Sequence, residues 1–217
     1  MGMPFEFDVI ECHQYSPMMS QCANARGIMG RWEPDAAGRF RAAALELFSD
    51  VGYEQSTVAD IAARAGLTAR TFFRYFADKR EVLFNGSERL QQTMMDGLGN
   101  APANASAIEA IAAALDATAD FFVDTQRPFS RQRSLVIAAN TELHERELIK
   151  LATMAVGLAE GLRARGIPEL DASLAAEAGI AVFRVAFSQW VRESKQRGFR
   201  EIVNEAMARL RSLSAIK

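Results

Sequence analysis

The chain has only two cysteines among its 217 residues, Cys12 and Cys22, and both lie within the first thirty positions. A fold that depends on disulfides is therefore excluded for the rest of the chain, and this cysteine content suits a reducing cytosol. No apolar stretch approaches the roughly twenty residues needed to span a bilayer. The N-terminal charges are mostly acidic, unlike those of a signal peptide. We therefore expect a cytoplasmic protein without a membrane partner.

The chain also lacks a strong net charge, which is −2 in total. No global field attracts nucleic acid, so any surface that binds a polyanion has to be local. One basic concentration exists, because five cations between positions 64 and 80 face only Asp78: Arg64, Arg70, Arg74, Lys79 and Arg80.

The motifs of common enzymes are missing as well. We find no glycine-rich phosphate loop, no GxSxG and no HExxH, and no cysteine near a histidine in the part expected to fold. Cys12, His13 and Cys22 offer three potential metal ligands, but no fourth ligand follows at a suitable spacing. We predict that the protein is not an enzyme and needs no cofactor or metal.

Residues 1–30 have no sustained hydrophobic period and no helix-capping signals, so we expect a disordered or loosely docked extension. Met29 begins the segment MGRWEPDAAGRF, which would itself be a natural protein start. Residues 1–28 are accordingly interpreted as an upstream-start artefact or as a dispensable tail.

The remaining chain is rich in Ala, Leu, Glu and Arg, and prolines are few. Its apolar spacing predicts an all-α protein of about nine helices without a credible strand. The first helices are predicted over about 35–51, over 58–65, from Thr68 to about Phe76, and from Lys79 onward with Asp78 as its cap. We expect a first helical domain over 31–84 and a second helical domain over 85–217.

The second and third predicted helices are separated only by Gly66, Leu67 and Thr68, the short turn of a DNA-binding helix-turn-helix. Small and apolar residues are placed to fill the space between these helices, and a glycine in the turn permits a positive φ. The predicted core of this motif consists of Ile61, Ala62, Gly66, Leu67, Phe72 and Phe76.

The third helix has a second face that is suited to the major groove of double-stranded DNA. Arg70 could bind guanine edges, and Ala69 or Phe73 could contact thymine methyl groups. Arg74 projects from the same side. Thr71 and Tyr75 lie on a flank suited to phosphates, and Lys79 opens a helix whose N–H groups attract anions.

Residues 39–83, RFRAAALELFSDVGYEQSTVADIAARAGLTARTFFRYFADKREVL, resemble the N-terminal DNA-binding domain of TetR-family transcriptional regulators. The resemblance extends to a subgroup whose recognition helix reads RTFFRYF. It implies a homodimeric repressor that binds a palindromic operator and is released by a small-molecule effector, with an activator or a protein-binding module as alternatives. It also implies base contacts at Ala69, Arg70, Phe73 and Arg74, and phosphate contacts at Thr57, Thr71, Tyr75 and Lys79. Arg70 departs from the small glycine frequent in the wider family, so no operator sequence can be transferred.

The same resemblance implies that the last two helices pair with their symmetry mates in a four-helix bundle. The alternative is that their apolar stripes only form the core of one chain. The candidate dimer residues are Ala175, Ala178, Gly179, Val182, Ile202, Met207 and Leu210.

A ligand pocket is expected among the aromatic residues of the second domain, although each of them could equally fill a core. Its candidates are Phe121, Phe122, Phe129, Met154, Phe183, Phe187 and Trp190, with Arg133, Arg184 and His144 as polar anchors. Because no acidic cluster marks a site for a cation, we expect a mostly apolar ligand that could carry a carboxylate.

Overall fold

The computed structural model describes residues 35–193 and 197–214, and the predicted extension with Cys12, His13 and Cys22 lies outside these residues. Within them the chain forms helices and no strand, which confirms the predicted fold class. The nine α-helices of the described residues are α1 (Ala36–Asp50), α2 (Val58–Arg64), α3 (Ala69–Phe72), α4 (Ser87–Gly99), α5 (Ala107–Ala117), α6 (Arg127–Ala138), α7 (Thr141–Ala164), α8 (Glu169–Arg192) and α9 (Phe199–Ser214). Short 3₁₀ turns cover Arg80–Leu83, Thr118–Phe121 and Asp124–Gln126.

Side chains cap several helices where the sequence predicts a start. Thr57 forms a capping box with Asp60 at the start of α2, and Ser106 forms one with Glu109 at the start of α5. At α3, the hydroxyl of Thr68 accepts a hydrogen bond from the backbone N–H of Thr71. These caps satisfy N–H groups that have no partner within the helix.

Two predicted helices differ in the structure. Regular α3 ends at Phe72, although the N–H of Phe76 still donates to the carbonyl of Phe72 at 3.0 Å. The predicted fourth helix is wrong: only a 3₁₀ turn follows Lys79, and α4 begins at Ser87. The break lies at Gly86, whose φ of 101° is not compatible with a continuing right-handed helix.

Helices α4, α5, α7, α8 and α9 share the larger hydrophobic core. Helix α8 packs against α7 on one side and against α5 and α9 on another. This arrangement accounts within one chain for its two apolar sides. Close approach of helices requires small residues, since a Cβ added at Gly97 would lie 2.6 Å from the Cβ of Ala117 on α5.

The smaller core joins α1, α2 and α3 to later parts of the chain. Val136 and Ile137 of α6 and Leu143 of α7 are buried in it. These three helices therefore share a core with α6 and the first turn of α7, and α1 packs directly against α6. Among the described helices, none is both long and apolar enough to cross a membrane.

Candidate nucleic-acid interface and ligand cavity

The turn between α2 and α3 is held by backbone and side-chain hydrogen bonds. Gly66 has a φ of 65°, and the N–H of Leu67 donates to the carbonyl of Ala62 at 2.9 Å. The guanidinium of Arg39 on α1 donates to the carbonyl of Ala65 at 2.5 Å. Arg39 was not among the predicted residues, because nothing in its local pattern indicates that α1 passes beside this turn.

One face of α3 anchors it to α1 and α2. Phe72 is fully buried and Phe76 nearly so, and both rings pack edge-on against the ring of Phe40, with centroids 5.2 and 6.1 Å away. Ile61 and Ala62 of α2 are buried beside them. This packing fixes the orientation of the opposite face of α3.

The opposite side of α3, together with the turn over residues 73–75 that continues it, is open to solvent. Phe73 is 58% exposed, Tyr75 is 44% exposed, and Arg70 and Arg74 are also exposed. Neither arginine forms an ion pair within residues 35–193 and 197–214. An exposed phenylalanine side chain contributes nothing to folding. On DNA, an apolar side chain can contact a thymine methyl group, and an unpaired guanidinium group can bind base edges or phosphates.

Other cations of the basic segment have partners inside the chain. Arg64 lies 3.1 Å from Asp50 and 3.8 Å from Glu46 on α1, and Arg80 lies 2.7 Å from Asp78. Of the basic concentration seen in the sequence, Arg70 and Arg74 are therefore the exposed charges without an acidic partner in the described part of the chain.

Two of the predicted phosphate-binding hydroxyls, those of Thr57 and Thr71, are already engaged at helix caps. The hydroxyl of Thr57 donates to Asp60 at 2.6 Å, and the hydroxyl oxygens of Thr71 and Thr68 lie 2.9 Å apart. These hydrogen bonds from Thr57 hold the pKa of the Asp60 carboxyl below its usual range. Contact with a phosphate would require either threonine to share or exchange its partner.

The surroundings of Lys79 differ from those of the predicted helix start. The first N–H groups of the following turn, at Arg80 and Glu81, both donate to Asp78 Oδ1, at 2.8 and 3.1 Å. The ammonium of Lys79 donates to the carbonyl of Tyr53 at 2.8 Å and to that of Ser56 at 3.1 Å. Lys79 therefore supports the loop before α2.

A cavity of about 1100 Å³ opens between α4, α6, α7 and α8. Eight residues predicted to form a pocket line it: Phe121, Phe122, Phe129, Arg133, Met154, Phe183, Arg184 and Phe187.

Two other pocket candidates lie elsewhere. Trp190 is fully buried behind the cavity wall, where its ring packs on Phe122 at 5.7 Å and its indole N–H points to Asp124 Oδ1 at 3.4 Å. His144 is exposed in the first turn of α7. Trp190 is therefore a core residue, although Phe183 and Phe187 on the same stripe of α8 line the cavity.

The cavity also reaches α1 and the segment after α3, which the sequence did not indicate. Arg41 of α1 and Leu83 and Phe84 of the segment after α3 line it, together with Glu147 and Lys150 of α7. No local pattern could have found Arg41, because only tertiary packing brings α1 to a cavity built mainly from later helices.

The candidate dimer residues are mostly part of the interior of one chain. Ala175, Gly179, Val182, Ile202 and Met207 are buried, and Ala178 and Leu210 are half-buried. A Cβ added at Gly179 would lie 2.7 Å from Cγ2 of Ile111 on α5. This small residue therefore accommodates α5 of its own chain, and its contact with a second subunit stays a prediction.

No group of three or more His, Cys, Asp and Glu side chains suited to a metal occurs in the parts of the chain that the structure describes.

Residues 40–85 match the family model for "Bacterial regulatory proteins, tetR family". The chain is 38% identical over 74 residues to the HTH-type transcriptional regulator TcmR of Streptomyces glaucescens, a match that covers 34% of this chain and 33% of that protein. The match thus spans about a third of the length of that curated relative. The family match lies on the helix-turn-helix and its flanking segments, and the chain is similar to helix-turn-helix transcriptional regulators there.

Solved structures share the fold over most of the chain. A transcriptional regulator from Pseudomonas aeruginosa PAO1 has a TM-score of 0.60 at 18% identity, covering 88% of this chain and 96% of that one. The transcriptional regulator FadR from Bacillus subtilis, in complex with stearoyl-CoA, has a TM-score of 0.52 at 23% identity, covering 83% of this chain and 99% of that one. At these identities the likeness shows the fold alone.

Proposed function

We propose that the protein is a DNA-binding transcriptional repressor of the tetR family that acts in the cytoplasm as a ligand-released homodimer. Residues 31–84 bind DNA, residues 85–217 bind the ligand and the second subunit, and residues 1–30 form an extension. The protein falls in the subgroup whose recognition helix reads RTFFRYF. The observation that carries the proposal is the exposed face of α3, held in a fixed orientation by Phe72 and Phe76.

In this function α3 enters the major groove. Arg70 and Arg74 contact guanine edges, and Ala69 and Phe73 contact thymine methyl groups. Tyr75, Thr71 and Thr57 contact phosphates at the edge of the groove, which fixes the position of the helix without reading sequence. Lys79 supports this interface through the loop at Tyr53 and Ser56.

A palindromic operator has two-fold symmetry, so it requires a two-fold symmetric protein. An exposed apolar stripe on α8 suits the subunit interface, because Leu170, Leu174 and Val185 are 70%, 61% and 60% exposed. A folded monomer gains little from exposing three such side chains in one row, whereas a partner helix would bury them. We place the interface on this stripe of α8.

The cavity is the proposed effector site. Its apolar wall fits a mostly apolar molecule, and the fold neighbour from Bacillus subtilis was solved with stearoyl-CoA, a ligand that carries a long hydrocarbon chain. Because the cavity extends to Arg41, Leu83 and Phe84, a bound ligand contacts the support of the helix-turn-helix. If the ligand binds more tightly to a state in which α3 has an orientation that does not fit the major groove, ligand binding weakens DNA binding.

The test is selection of duplexes from a random pool by the purified full chain, followed by sequencing. We expect enrichment of a palindrome, with binding that weakens steeply as salt rises. A selection that enriched no sequence would refute the proposal in favour of a protein-binding module. A ligand that strengthened operator binding would refute release of the operator by the ligand.

A further inference from the structure

The charges around the cavity differ from those of the chain as a whole. Two acidic side chains line it, Glu147 and Glu193, against six cationic ones: Arg41, Arg131, Arg133, Lys150, Arg184 and Arg192. The complete chain has a net charge of −2. A concave, partly apolar site with a surplus of one charge sign concentrates ligands of the opposite sign. The cavity therefore favours an anion.

Arg133 is the cation whose surroundings favour an anion most directly. Its side chain is only 20% exposed, its Nε donates to the carbonyl of Leu83 at 2.7 Å, and its Nη1 lies 3.3 Å from Glu147 Oε1. Burial lowers the pKa of this guanidinium, and the positive charge of Arg41 lowers it further. A second negative charge next to Arg133 would offset both effects.

In the part of the chain that the structure describes, the side chains around Arg133 do not supply a second negative charge in addition to Glu147. The ammonium of Lys150 lies 3.1 Å from Glu81 Oε2, so the Glu81 carboxylate is held by Lys150 and by Arg146. The guanidinium of Arg41 lies over the ring of Phe129 at 5.1 Å. Within the described residues, Glu147 is therefore the carboxylate that pairs with Arg133.

The remaining wall of the cavity is hydrocarbon. Leu90, Leu151, Met154, Phe122, Phe183 and Phe187 line it, and the rings of Phe183 and Phe187 stack at 6.2 Å with an interplanar angle of 14°. Such a wall binds an alkyl chain or a flat apolar body through burial of its surface.

We infer that the ligand of this cavity is an anionic amphiphile whose carboxylate or phosphate group is bound by Arg133, while its apolar part lies on the aromatic wall. The inference deepens the proposed function, on which its regulatory consequence rests. Leu83 ends the 3₁₀ turn that comes after α3 in the chain. An anion that draws Arg133 away from the Leu83 carbonyl therefore alters a hydrogen bond between α6 and the proposed DNA-binding domain. Arg133 thereby connects the two sites.

Isothermal titration calorimetry on the full chain tests the ligand class with four probes of equal chain length, each below its critical micelle concentration. They are dodecanoate, dodecyl phosphate, dodecanol and dodecyltrimethylammonium. We expect the two anions to bind at least about tenfold more tightly than dodecanol, as one charged hydrogen bond provides. The stronger of the two anions distinguishes a carboxylate from a phosphate ligand.

Variants then test the role of Arg133. Arg133→Met should remove the preference for dodecanoate over dodecanol and leave dodecanol binding unchanged, whereas Glu147→Gln should tighten dodecanoate binding because the competing carboxylate is lost. Arg209→Met, at a side chain that is 76% exposed on α9, is the control and should change neither. If Arg133→Met fails to unfold cooperatively, Arg41→Met is used in its place. It removes a positive charge from the same end of the cavity, keeps the hydrogen bond between Arg133 and Leu83, and should weaken binding of dodecanoate without weakening binding of dodecanol.

Dodecanol that binds as tightly as dodecanoate, a preference for the trimethylammonium probe, or no binding of any probe would overturn the inference. So would an anion preference that survives removal of Arg133 or, where that variant does not fold, of Arg41. Dodecanoate that binds through Arg133 without changing operator affinity would leave the ligand class standing and refute the release step of the proposed function. Operator selection that succeeds while anions fail to bind would refute the inference alone.

Discussion

The ammonium nitrogen of Lys79 lies 2.8 Å from the carbonyl oxygen of Tyr53 and 3.9 Å from the centroid of the Tyr53 ring. The phenol of the same tyrosine donates to Glu142 Oε2 on α7 at 3.0 Å. Burial raises the pKa of this phenol, and the hydrogen bond to Glu142 raises it further, so the proton stays on the donor. Tyr53 thus links Lys79, which comes after α3 in the chain, to the start of α7.

This geometry predicts that Lys79→Met acts through the protein and not through DNA charge. Two carbonyls lose a charged donor, which should lower the free energy of unfolding by about 1 kcal/mol, because water can partly replace the lost donor. DNA affinity should fall equally for specific and random duplexes, with an unchanged slope against salt concentration. Urea unfolding and binding titrations at several salt concentrations measure both. A salt slope reduced by about 1 would instead indicate a direct phosphate contact.

Arg70→Ala should relax base preference at one position of each half-site by about 1–3 kcal/mol if the arginine forms a bidentate contact with guanine. Tyr75→Phe removes only a hydroxyl on the flank of α3, so it should weaken binding to all duplexes without changing preference. Competition binding against operators with single base changes separates the two variants. Equal effects of both variants on specific and random duplexes would contradict this division.

Leu174→Glu should convert the dimer to a 23.9 kDa monomer, because it places a charge in the exposed stripe of α8. The stability of the monomer should change little, since this side chain is 61% exposed. Sedimentation at micromolar protein concentration measures the species. Dimerisation that persists would place the interface elsewhere.

Gly179→Ala is the matched variant on the buried side of α8. Its added methyl group would overlap Ile111, so α5 and α8 must separate slightly, at a cost of about 1–3 kcal/mol in the free energy of unfolding. The dimer should persist in this variant. Loss of the dimer without loss of stability would restore Gly179 to the interface.

Stability at acid pH should depend on the capping box of α2. The pKa of Asp60 is lowered in the folded protein by the hydrogen bonds from Thr57. The carboxylate therefore stabilises the fold above its unfolded pKa of about 3.9, and this contribution is lost as pH falls through the folded value. In Asp60→Asn, which keeps an oxygen acceptor but does not titrate, the urea midpoint should change less between pH 7 and pH 3 than in the wild type. Glu54→Gln, at an exposed carboxylate, is the control, and an equal change in both variants would contradict the assignment.

The amino-acid sequence by itself determined the helical fold class, most helix starts and the two faces of α3. These features depend on local chemistry. A threonine or serine three residues before an acid caps a helix, as Thr57 and Ser106 do. Two aromatics four residues apart share one face, as Phe72 and Phe76 do. The helix at Lys79 failed because a single glycine, Gly86, interrupts the chain where composition alone permitted a helix.

Only the tertiary structure decided which side chains are exposed to a ligand and which are held in contacts within the chain. Periodicity places Phe187 and Trp190 on one stripe, yet one lines the cavity and the other is buried behind it, because burial depends on which helices pack nearby. It likewise assigned Gly179 to the interior of one chain and Lys79 to a support of the loop before α2. Arg41 reaches the cavity only because α1 packs against α6, which lies far along the chain. A local pattern states which face of a helix is apolar, and long-range packing decides what that face meets.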